Sequence, residues 1–261
     1  MSKSSREPNW YRLLEDYQSL HLRLDPLREV RFDTIMDVLD AGLPSRFVAL
    51  DLGTGPGPLA KRILERFPRA NVVLIDHDRA LLEVGRRALS GFGNRAHPLL
   101  LDLGKEGWEK ILPFKKVDAV VSSSMSHDLT PGAVRRLYHT IYRILRPGGL
   151  LINSDYIVGG EKQPRLAMLV EQAFEVQIKR GYRIPRKAFL QGLEEWWQPI
   201  RRYAPLHDAI ARRDRIARKW RPRKVTMNLP SHFRALRESG FREVKTVWQY
   251  MGSPCILVAV K

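Results

Sequence analysis

The apolar positions follow two periods along the chain, and the changes between them divide it into alternating elements. From residue 8 to 41 apolar side chains recur at helical spacing, which predicts two helices separated near Pro26. Helical patterns also lie between the later strands, the last opening with Thr130 as N-cap before Pro131 and ending at 146–149. Between these helices, five short runs rich in Val, Ile and Leu predict strands at 46–52, 71–76, 96–103, 117–123 and 150–156.

The order of these elements predicts the fold class. Strands without polar alternation, separated by helices, are typical of a parallel sheet covered on both faces. Residues 229–240 then predict a helix closed by Gly240, followed by strands at 241–252 and 253–261. Their connection is a tight Gly-Ser-Pro turn, which requires an antiparallel pair. We therefore expect an α/β fold with a doubly wound, seven-stranded, mostly parallel sheet and an antiparallel last strand.

About 70 residues separate the fifth strand from the final helix, and their apolar positions predict a helical insertion rather than a linker. The three helical stripes are Leu166, Val170, Phe174 and Ile178; Phe189, Leu193, Trp196 and Trp197; and Leu206, Ile210, Ile216 and Trp220. We expect this insertion to lie over the ends of the strands as a lid. The predicted units are N-terminal helices covering the site (1–45), a core (46–157), a basic helical lid for substrate (158–228) and the last helix and strand pair completing the core (229–261).

Positive charge is concentrated in the predicted lid. The chain carries a formal charge of +17, and residues 179–224 hold 15 basic side chains against 4 acidic ones. Such a field favours an anionic substrate or partner, and the alternative is a solvated, arginine-rich face. The sequence leaves both interpretations open.

Several classes of protein do not fit the composition. The first ten residues contain no apolar signal region, and no run approaches the ~18 apolar residues of a membrane span. Cys255 is the single cysteine, so it has no internal disulfide partner, and no Cys/His pair has zinc-ligand spacing. We expect a cytoplasmic protein without a bound metal; its oligomeric state is left open.

A glycine-rich turn joins the first predicted strand to the helix that follows. Such a turn brings main-chain N–H groups and a helix N-terminus close to a ligand. A dinucleotide fingerprint would need a third glycine where Pro58 stands. Asp51 instead ends the strand, with Gly53, Gly55 and Gly57 behind it, and its carboxylate favours a cationic ligand over a pyrophosphate.

With these residues the chain resembles the class I S-adenosylmethionine-dependent methyltransferase family, which has a Rossmann-like domain. The segments that carry the resemblance span roughly 46–156 and are VALDLGTGPG (48–57), VVLIDHD (72–78), LLLDL (99–103), VDAVVSSSMSHDL (117–129) and LRPGGLLINSDY (145–156). The resemblance implies S-adenosyl-L-methionine as cofactor and S-adenosyl-L-homocysteine as product. Residues 158–228 match nothing in that family.

The resemblance also assigns cofactor-binding positions. Asp51, Gly53, Thr54, Gly55 and Gly57 correspond to the loop for the methionine half of the cofactor. Asp76 corresponds to the carboxylate that accepts both ribose hydroxyls, with His77 beside it. Asp102 and Leu103 correspond to the adenine subsite. Ser122 and Ser123, followed by Ser124 and Met125, correspond to the edge of strand four that faces the transferred methyl group.

The residue types missing at the end of the fourth predicted strand reduce the range of possible methyl acceptors. Residues 122–125 contain no proline, so the signature for exocyclic base nitrogens is absent. Cys255 lies in an apolar strand and is not placed as a nucleophile for cytosine C5. No acidic cluster suggests metal-assisted transfer. We expect direct in-line displacement onto an O or N of a small, anionic or aromatic metabolite.

Catalytic and acceptor-binding residues are less determined. His127 is the candidate general base, and capping a helix or packing against the lid is its alternative role. Tyr17 and His21 could close over the cofactor or belong to the core. Trp196, Trp197 and Trp220 offer flat surfaces to an acceptor, or pack the lid itself. The arginines that could bind an anion are Arg180, Arg183, Arg186, Arg201, Arg202, Arg212, Arg213 and Arg215.

Two other functions remain open. The basic lid could bind tRNA or rRNA, which would make the chain an RNA methyltransferase. The chain could also bind the cofactor without transferring its methyl group, as a sensor or partner subunit. A related branch of the fold carboxylates the cofactor and would need an arginine near the sulfonium.

Overall fold

The computed structural model describes residues 7–157, 164–219, 226–251 and 253–261. Within these ranges seven strands form one sheet in the order β3-β2-β1-β4-β5-β7-β6. Strands β1 to β5 pair in parallel, whereas β7 is antiparallel to both β5 and β6. The predicted fold class is confirmed, including the reversed last strand. The strands are Val48–Leu52 (β1), Asn71–Asp76 (β2), Ala96–Leu100 (β3), Val117–Ser123 (β4), Leu145–Asp155 (β5), Glu243–Gln249 (β6) and Cys255–Val260 (β7).

Helices cover both faces of this sheet and continue into the insertion. Among the described residues they are Trp10–Leu24 (α1), Arg28–Gly42 (α2), Pro58–Arg66 (α3), Arg79–Ala88 (α4), Pro131–Ile144 (α5), Pro164–Lys179 (α6), Arg186–Arg201 (α7), His207–Lys219 (α8) and Leu229–Glu238 (α9). The Thr130 cap is confirmed, since its hydroxyl accepts from the Ala133 N–H at 3.2 Å. Gly240 follows α9 with φ +112°, which explains the glycine there.

Two of the element boundaries that differ from the prediction are explained by the local path of the chain. The turn expected at 146–149 lies inside β5, because Val117 pairs with Leu145 and Ala119 with Leu150, leaving a bulge between them. β3 ends at Leu100 rather than at residue 103, where the chain leaves the sheet. The described part of the connection between β6 and β7 is 250–251 and 253–254, and Gly252 of the expected turn lies outside the described residues.

The insertion packs on the N-terminal helices through one apolar cluster. Its buried residues from α1, α4, α7, α8 and the turn before α8 are Trp10, Leu13, Ala80, Val84, Trp196, Trp197, Ile200, Leu206 and Ile210. The stripe on α6 is different: Leu166 is 55% exposed, and α6 contains no buried residue. Ile216 on α8 is also exposed. A helical period predicts the helix but not whether a partner covers its apolar face. Trp220 of the third stripe lies outside the described residues.

The strand order places a crevice at the carboxyl ends of β1 and β4. These neighbours are followed by α3 and α5, and the order of strands reverses between them. Ligands of open α/β sheets bind at such a reversal. No described helix is long and apolar enough to cross a bilayer.

Candidate functional site

The loop after β1 is shaped by three glycines in the left-handed region. Gly53, Gly55 and Gly57 have φ values of +67°, +58° and +89°. A β carbon on Gly53 would lie only 2.6 Å from the Cβ of Met125, so the loops after β1 and β4 are in contact. Gly57 caps the N-terminus of α3, which directs main-chain N–H groups and the helix dipole into the crevice.

Asp76 ends β2 and holds the glycine loop from the side. Its Oδ2 accepts from the Gly55 N–H and its Oδ1 from the Asp78 N–H, both at 2.8 Å. Only 7% of the residue is exposed. A carboxylate has about four lone-pair directions, so two hydrogen bonds leave acceptor capacity for a diol.

Asp51 is the second buried carboxyl group beside the loop. It is 1% exposed, and its Oδ2 accepts from the Thr54 hydroxyl at 2.6 Å. Burial raises the pKa of Asp51 to about 7, although hydrogen bonds from Thr54 and the Ala60 N–H oppose that rise. A cation bound in the crevice would favour its ionised form.

The remaining predicted cofactor positions differ in exposure. His77 is exposed, with its Nδ1 3.5 Å from Asp76 Oδ1. Asp102 is also exposed and accepts from the Gly104 N–H at 3.0 Å, while Leu103 is buried.

The end of β4 presents serines around an irregular turn. The Ser122 hydroxyl donates to the Leu52 carbonyl at 3.2 Å, which ties β4 to β1. Ser123 Oγ is screened from solvent and has no hydrogen-bond partner in the described part of the chain. Ser124 has φ +62°, an uncommon conformation for a residue other than glycine. Met125 follows and packs on Gly53.

His127 forms a pair with a carboxylate that the sequence reasoning missed. Its Nδ1 lies 2.7 Å from Oδ1 of Asp155, the last residue of β5. Burial alone would raise the pKa of Asp155, but hydrogen bonds from His127, Ser126 and the Tyr156 N–H hold it below its usual range. The same bond to Asp155 raises the pKa of His127. Because Nδ1–H donates to Asp155, the Nε2 atom is left to accept a proton.

A buried chain of hydrogen bonds holds the Asp155 carboxylate in place. The Ser126 hydroxyl donates to Asp155 Oδ2 at 2.5 Å, and the side-chain amide of Asn153 donates to Ser126 Oγ at 3.2 Å. The Asn153 amide also approaches the Tyr138 hydroxyl at 3.5 Å, which lies 2.6 Å from Nδ1 of His232 on α9. Burial lowers the pKa of His232 to about 4, so this imidazole is neutral and its Nδ1 accepts a hydrogen bond from the tyrosine hydroxyl.

The N-terminal helices bring aromatic and charged side chains to the glycine loop. The Tyr17 hydroxyl would lie 3.7 Å from a β carbon on Gly55. Tyr17 also stacks on His21 with ring centroids 3.9 Å apart. Burial and the charge of Arg28 lower the pKa of His21 to about 4. The first helix therefore lies against the cofactor loop.

The lid residues proposed from sequence include two tryptophans that pack on each other, with ring centroids 4.9 Å apart. Trp196 and Trp197 are 6% and 2% exposed, and Trp196 Nε1 donates to the Leu13 carbonyl at 2.7 Å. Trp196 also meets the Tyr17 ring at 5.1 Å. The Arg183 guanidinium donates to the Leu24 carbonyl at 2.8 and 3.0 Å, and Arg186 is exposed at the start of α7.

Further polar residues of this region were missed by the sequence reasoning. They are Asp25, Arg28, Arg31, Asp155 and Tyr156. Asp155 carries the same signal as Asp51 and Asp76, an acidic residue at the carboxyl end of a parallel strand. Arg28 and Arg31 have no such signal, because arginines spaced three apart on a helix ordinarily predict a solvated face.

The described residues fit S-adenosylmethionine by their chemistry. Gly55 leaves room beside the loop, since the nearest atom to a β carbon there would be the Tyr17 hydroxyl at 3.7 Å, and Asp76 retains acceptor capacity for the ribose hydroxyls. Asp51 is a buried carboxyl group that a positively charged ligand would stabilise as a carboxylate.

Comparison with known proteins agrees with this geometry. Residues 49–149 match a family model described as a methyltransferase domain. Over 121 residues, or 46% of the chain, it is 26% identical to malonyl-[acyl-carrier protein] O-methyltransferase 1 of Ilyobacter polytropus. Over 140 residues, or 52% of the chain, it is 28% identical to acetylserotonin O-methyltransferase of Macaca mulatta. These matches cover 42% and 38% of the two relatives, less than half of either.

Solved structures share the fold at low sequence identity. A Nostoc punctiforme protein described as an O-methyltransferase superposes with a TM-score of 0.59 at 14% identity, over 100% of this chain and 63% of its own. An O-methyltransferase family 2 protein of Planctomyces limnophilus gives 0.56 at 16% identity, over 99% and 62%.

Proposed function

We propose that the chain methylates an oxygen of a small acceptor molecule. The premise is that residues 49–149 form a methyltransferase domain of the class I, S-adenosylmethionine-dependent family. His127 serves as general base, and Asp155 orients it. The observation that carries the proposal is this hydrogen-bonded pair at the carboxyl ends of the strands: Asp155 ends β5, and His127 lies in the turn after β4, the strand that pairs with β1. Both curated relatives are named as O-methyltransferases, which supports oxygen over nitrogen.

Methyl transfer requires few chemical steps from the protein itself. The cofactor, when bound, supplies a methyl group on a sulfonium, an electrophile that leaves behind a neutral thioether. The chain must bind the acceptor in line with that methyl group and exclude water. For a hydroxyl acceptor it must also remove the proton, because a hydroxyl is a weak nucleophile until it is deprotonated. A carboxylic acid is already ionised at neutral pH and needs no base.

His127 has the geometry for this proton. Its Nδ1–H donates to Asp155, so the proton from the acceptor oxygen goes to Nε2. Asp155 is fully buried and receives further donors from Ser126 and two main-chain N–H groups. Its charge therefore stabilises the imidazolium that forms on His127 during transfer.

The described lid favours a small acceptor over RNA. Base stacking needs exposed aromatic faces, whereas Trp196 and Trp197 are buried against the first helix. Part of the positive charge is also neutralised within the fold, because Arg201 pairs with Asp214 and Arg213 with Asp78. The two relatives are named for acceptors as different as malonyl-[acyl-carrier protein] and acetylserotonin, so we propose an acidic or aromatic acceptor as the class to screen.

The test is methyl transfer from labelled S-adenosylmethionine to a panel of phenols and carboxylic acids, followed by the variant His127→Gln. We expect transfer to at least one acceptor and, for a phenol, a loss of about 100-fold or more in kcat for the variant. The matched control is His139→Gln, which changes an exposed histidine on α5. Wild-type activity in His127→Gln would remove the general base from the proposal. Transfer to bulk tRNA, weakening steeply with salt, would favour the RNA function instead.

A further inference from the structure

One buried positive charge in the site has no carboxylate partner among the described residues. Arg28, at the start of α2, is only 7% exposed. Its Nε is screened from solvent without a hydrogen-bond partner, and no ion pair joins its guanidinium to a carboxylate in the described part of the chain. A buried charge without a counter-ion is costly, so such a group is rarely retained for stability alone.

The neighbouring groups do not supply the missing charge. Arg31 is fully buried and pairs with Asp25, which also accepts from the Tyr156 hydroxyl at 2.8 Å. Two guanidinium groups thus share the charge of one carboxylate. Arg28 is positioned by the Phe32 ring, 4.7 Å from its guanidinium carbon, rather than by an anion.

Arg28 interacts electrostatically with residues from both halves of the site. On one side is Tyr17, whose hydroxyl lies over Gly55 of the cofactor loop. On the other is Tyr156, whose ring centroid is 6.4 Å from that of His127. The charge of Arg28 also acts on Asp51 at the end of β1. A ligand lying between the glycine loop and His127 would therefore be exposed to the charge of this guanidinium.

We propose that Arg28 is a binding residue for a carboxylate group of a ligand held in this site. A guanidinium forms two parallel hydrogen bonds with a carboxylate, which would satisfy Nε and neutralise the surplus charge together. The carboxylate has two possible sources, the amino-acid end of the cofactor and an acidic acceptor. The proposal rests on the proposed function only in placing both ligands in this crevice.

The variant Arg28→Met tests this by calorimetry and thermal melting. Removing an unpaired buried charge should leave the melting temperature of the ligand-free protein at or above that of wild type. A purely structural arginine would instead lower it, and a fall of more than about 4 °C would overturn the proposal. Arg146→Met is the control, since Arg146 pairs with Asp118 near the opposite end of β4.

Binding then distinguishes the two sources. S-adenosylhomocysteine carries a carboxylate, whereas 5′-methylthioadenosine lacks the amino-acid end. If the cofactor is the source, Arg28→Met weakens S-adenosylhomocysteine about 10- to 100-fold and leaves methylthioadenosine unchanged. If the acceptor is the source, both nucleosides bind as before, and saturable benzoate binding to the S-adenosylhomocysteine complex is lost. Benzamide, which has no charge, is the control ligand and should not respond to the substitution.

Different results would overturn the role proposed for Arg28 and the proposed function. Unchanged affinity of Arg28→Met for S-adenosylhomocysteine, methylthioadenosine and benzoate would overturn the carboxylate role. A wild-type protein that bound neither nucleoside would instead overturn the proposed function. Titration of benzoate into the nucleoside-free protein and the melting comparison would still test Arg28 in that case.

Discussion

Asp51 and Asp155 show how two carboxyl groups at equivalent places in a sheet acquire opposite properties. Both are buried at the carboxyl ends of parallel strands. Asp51 receives hydrogen bonds from Thr54 and Ala60, and burial prevails, so its pKa rises to about 7. Asp155 receives donors from a histidine, a serine and the main chain, and its pKa is lowered. The number and charge of the donors, rather than burial, decide which carboxylate is ionised.

Asp51 should make the ligand-free protein less stable as the pH rises. Its pKa is about 7 in the folded chain against 3.8 when unperturbed, so the folded state binds more protons between these values. The free energy of unfolding therefore falls across that range, by up to about 4 kcal/mol. Asp51→Asn should abolish this part of the fall, as measured by urea unfolding at pH 5 and pH 8. Parallel pH dependences in wild type and variant would contradict the raised pKa.

Asp155→Asn should change how methyl transfer depends on pH. The base must be neutral, so the wild-type rate rises with pH through the raised pKa of His127. Without the carboxylate that pKa falls, and the acid limb of the profile moves to lower pH. The maximal rate also falls, by about 10-fold or more, because the imidazolium loses its counter-ion. A reduced rate with an unmoved acid limb would indicate only structural damage.

Single residues were predictable from sequence where strand geometry placed them. Asp51 and Asp76 could be singled out because they end apolar strands, and the same signal was available for Asp155. Arg28 could not be found, since its burial depends on how α2 packs against β5 and α1. Long-range packing of this kind leaves no local pattern.

At the scale of elements, α4 supports the cofactor loop through a close approach of main chains. A β carbon on Gly85 would lie 3.0 Å from the Pro56 carbonyl oxygen and 3.1 Å from its carbon. Only a glycine lets the helix come this near without moving the loop. The contact couples α4 to the position of Gly55 and Gly57.

Gly85→Ala should therefore weaken cofactor binding without unfolding the protein. Alanine gains about 1 kcal/mol of helix propensity, which offsets the crowding, but Pro56 must move by a few tenths of an ångström. We expect S-adenosylhomocysteine to bind roughly 3- to 10-fold more weakly by calorimetry. Gly91→Ala is the control, because a β carbon there meets nothing within 4 Å. Equal losses in both variants would contradict the proposed coupling.

The helices of the insertion were predictable as helices but not in their packing. The stripe on α7 is buried against α1, whereas α6 contains no buried residue. Both stripes have the same period, so the period could not distinguish them. Whether the insertion acts as a substrate lid stays a prediction.

The topology of the whole molecule could be predicted well, because each connection joins elements that follow one another along the chain. Continuous apolar strands, intervening helices and one short final connection leave few arrangements of a parallel sheet. The acceptor could not be predicted, because the segments that carry the family resemblance end at residue 156 and the net charge of +17 does not by itself identify a binding site.

We expect the crevice between β1 and β4 to bind S-adenosylmethionine. Substitution of Asp76 is the sharpest test of this binding. We would titrate S-adenosylhomocysteine into wild type, Asp76→Asn and the exposed control Asp40→Asn by calorimetry. We expect saturable binding to wild type and to Asp40→Asn, and a loss of about 10-fold or more in Asp76→Asn. No binding to folded wild type, or equal binding to all three proteins, would contradict it.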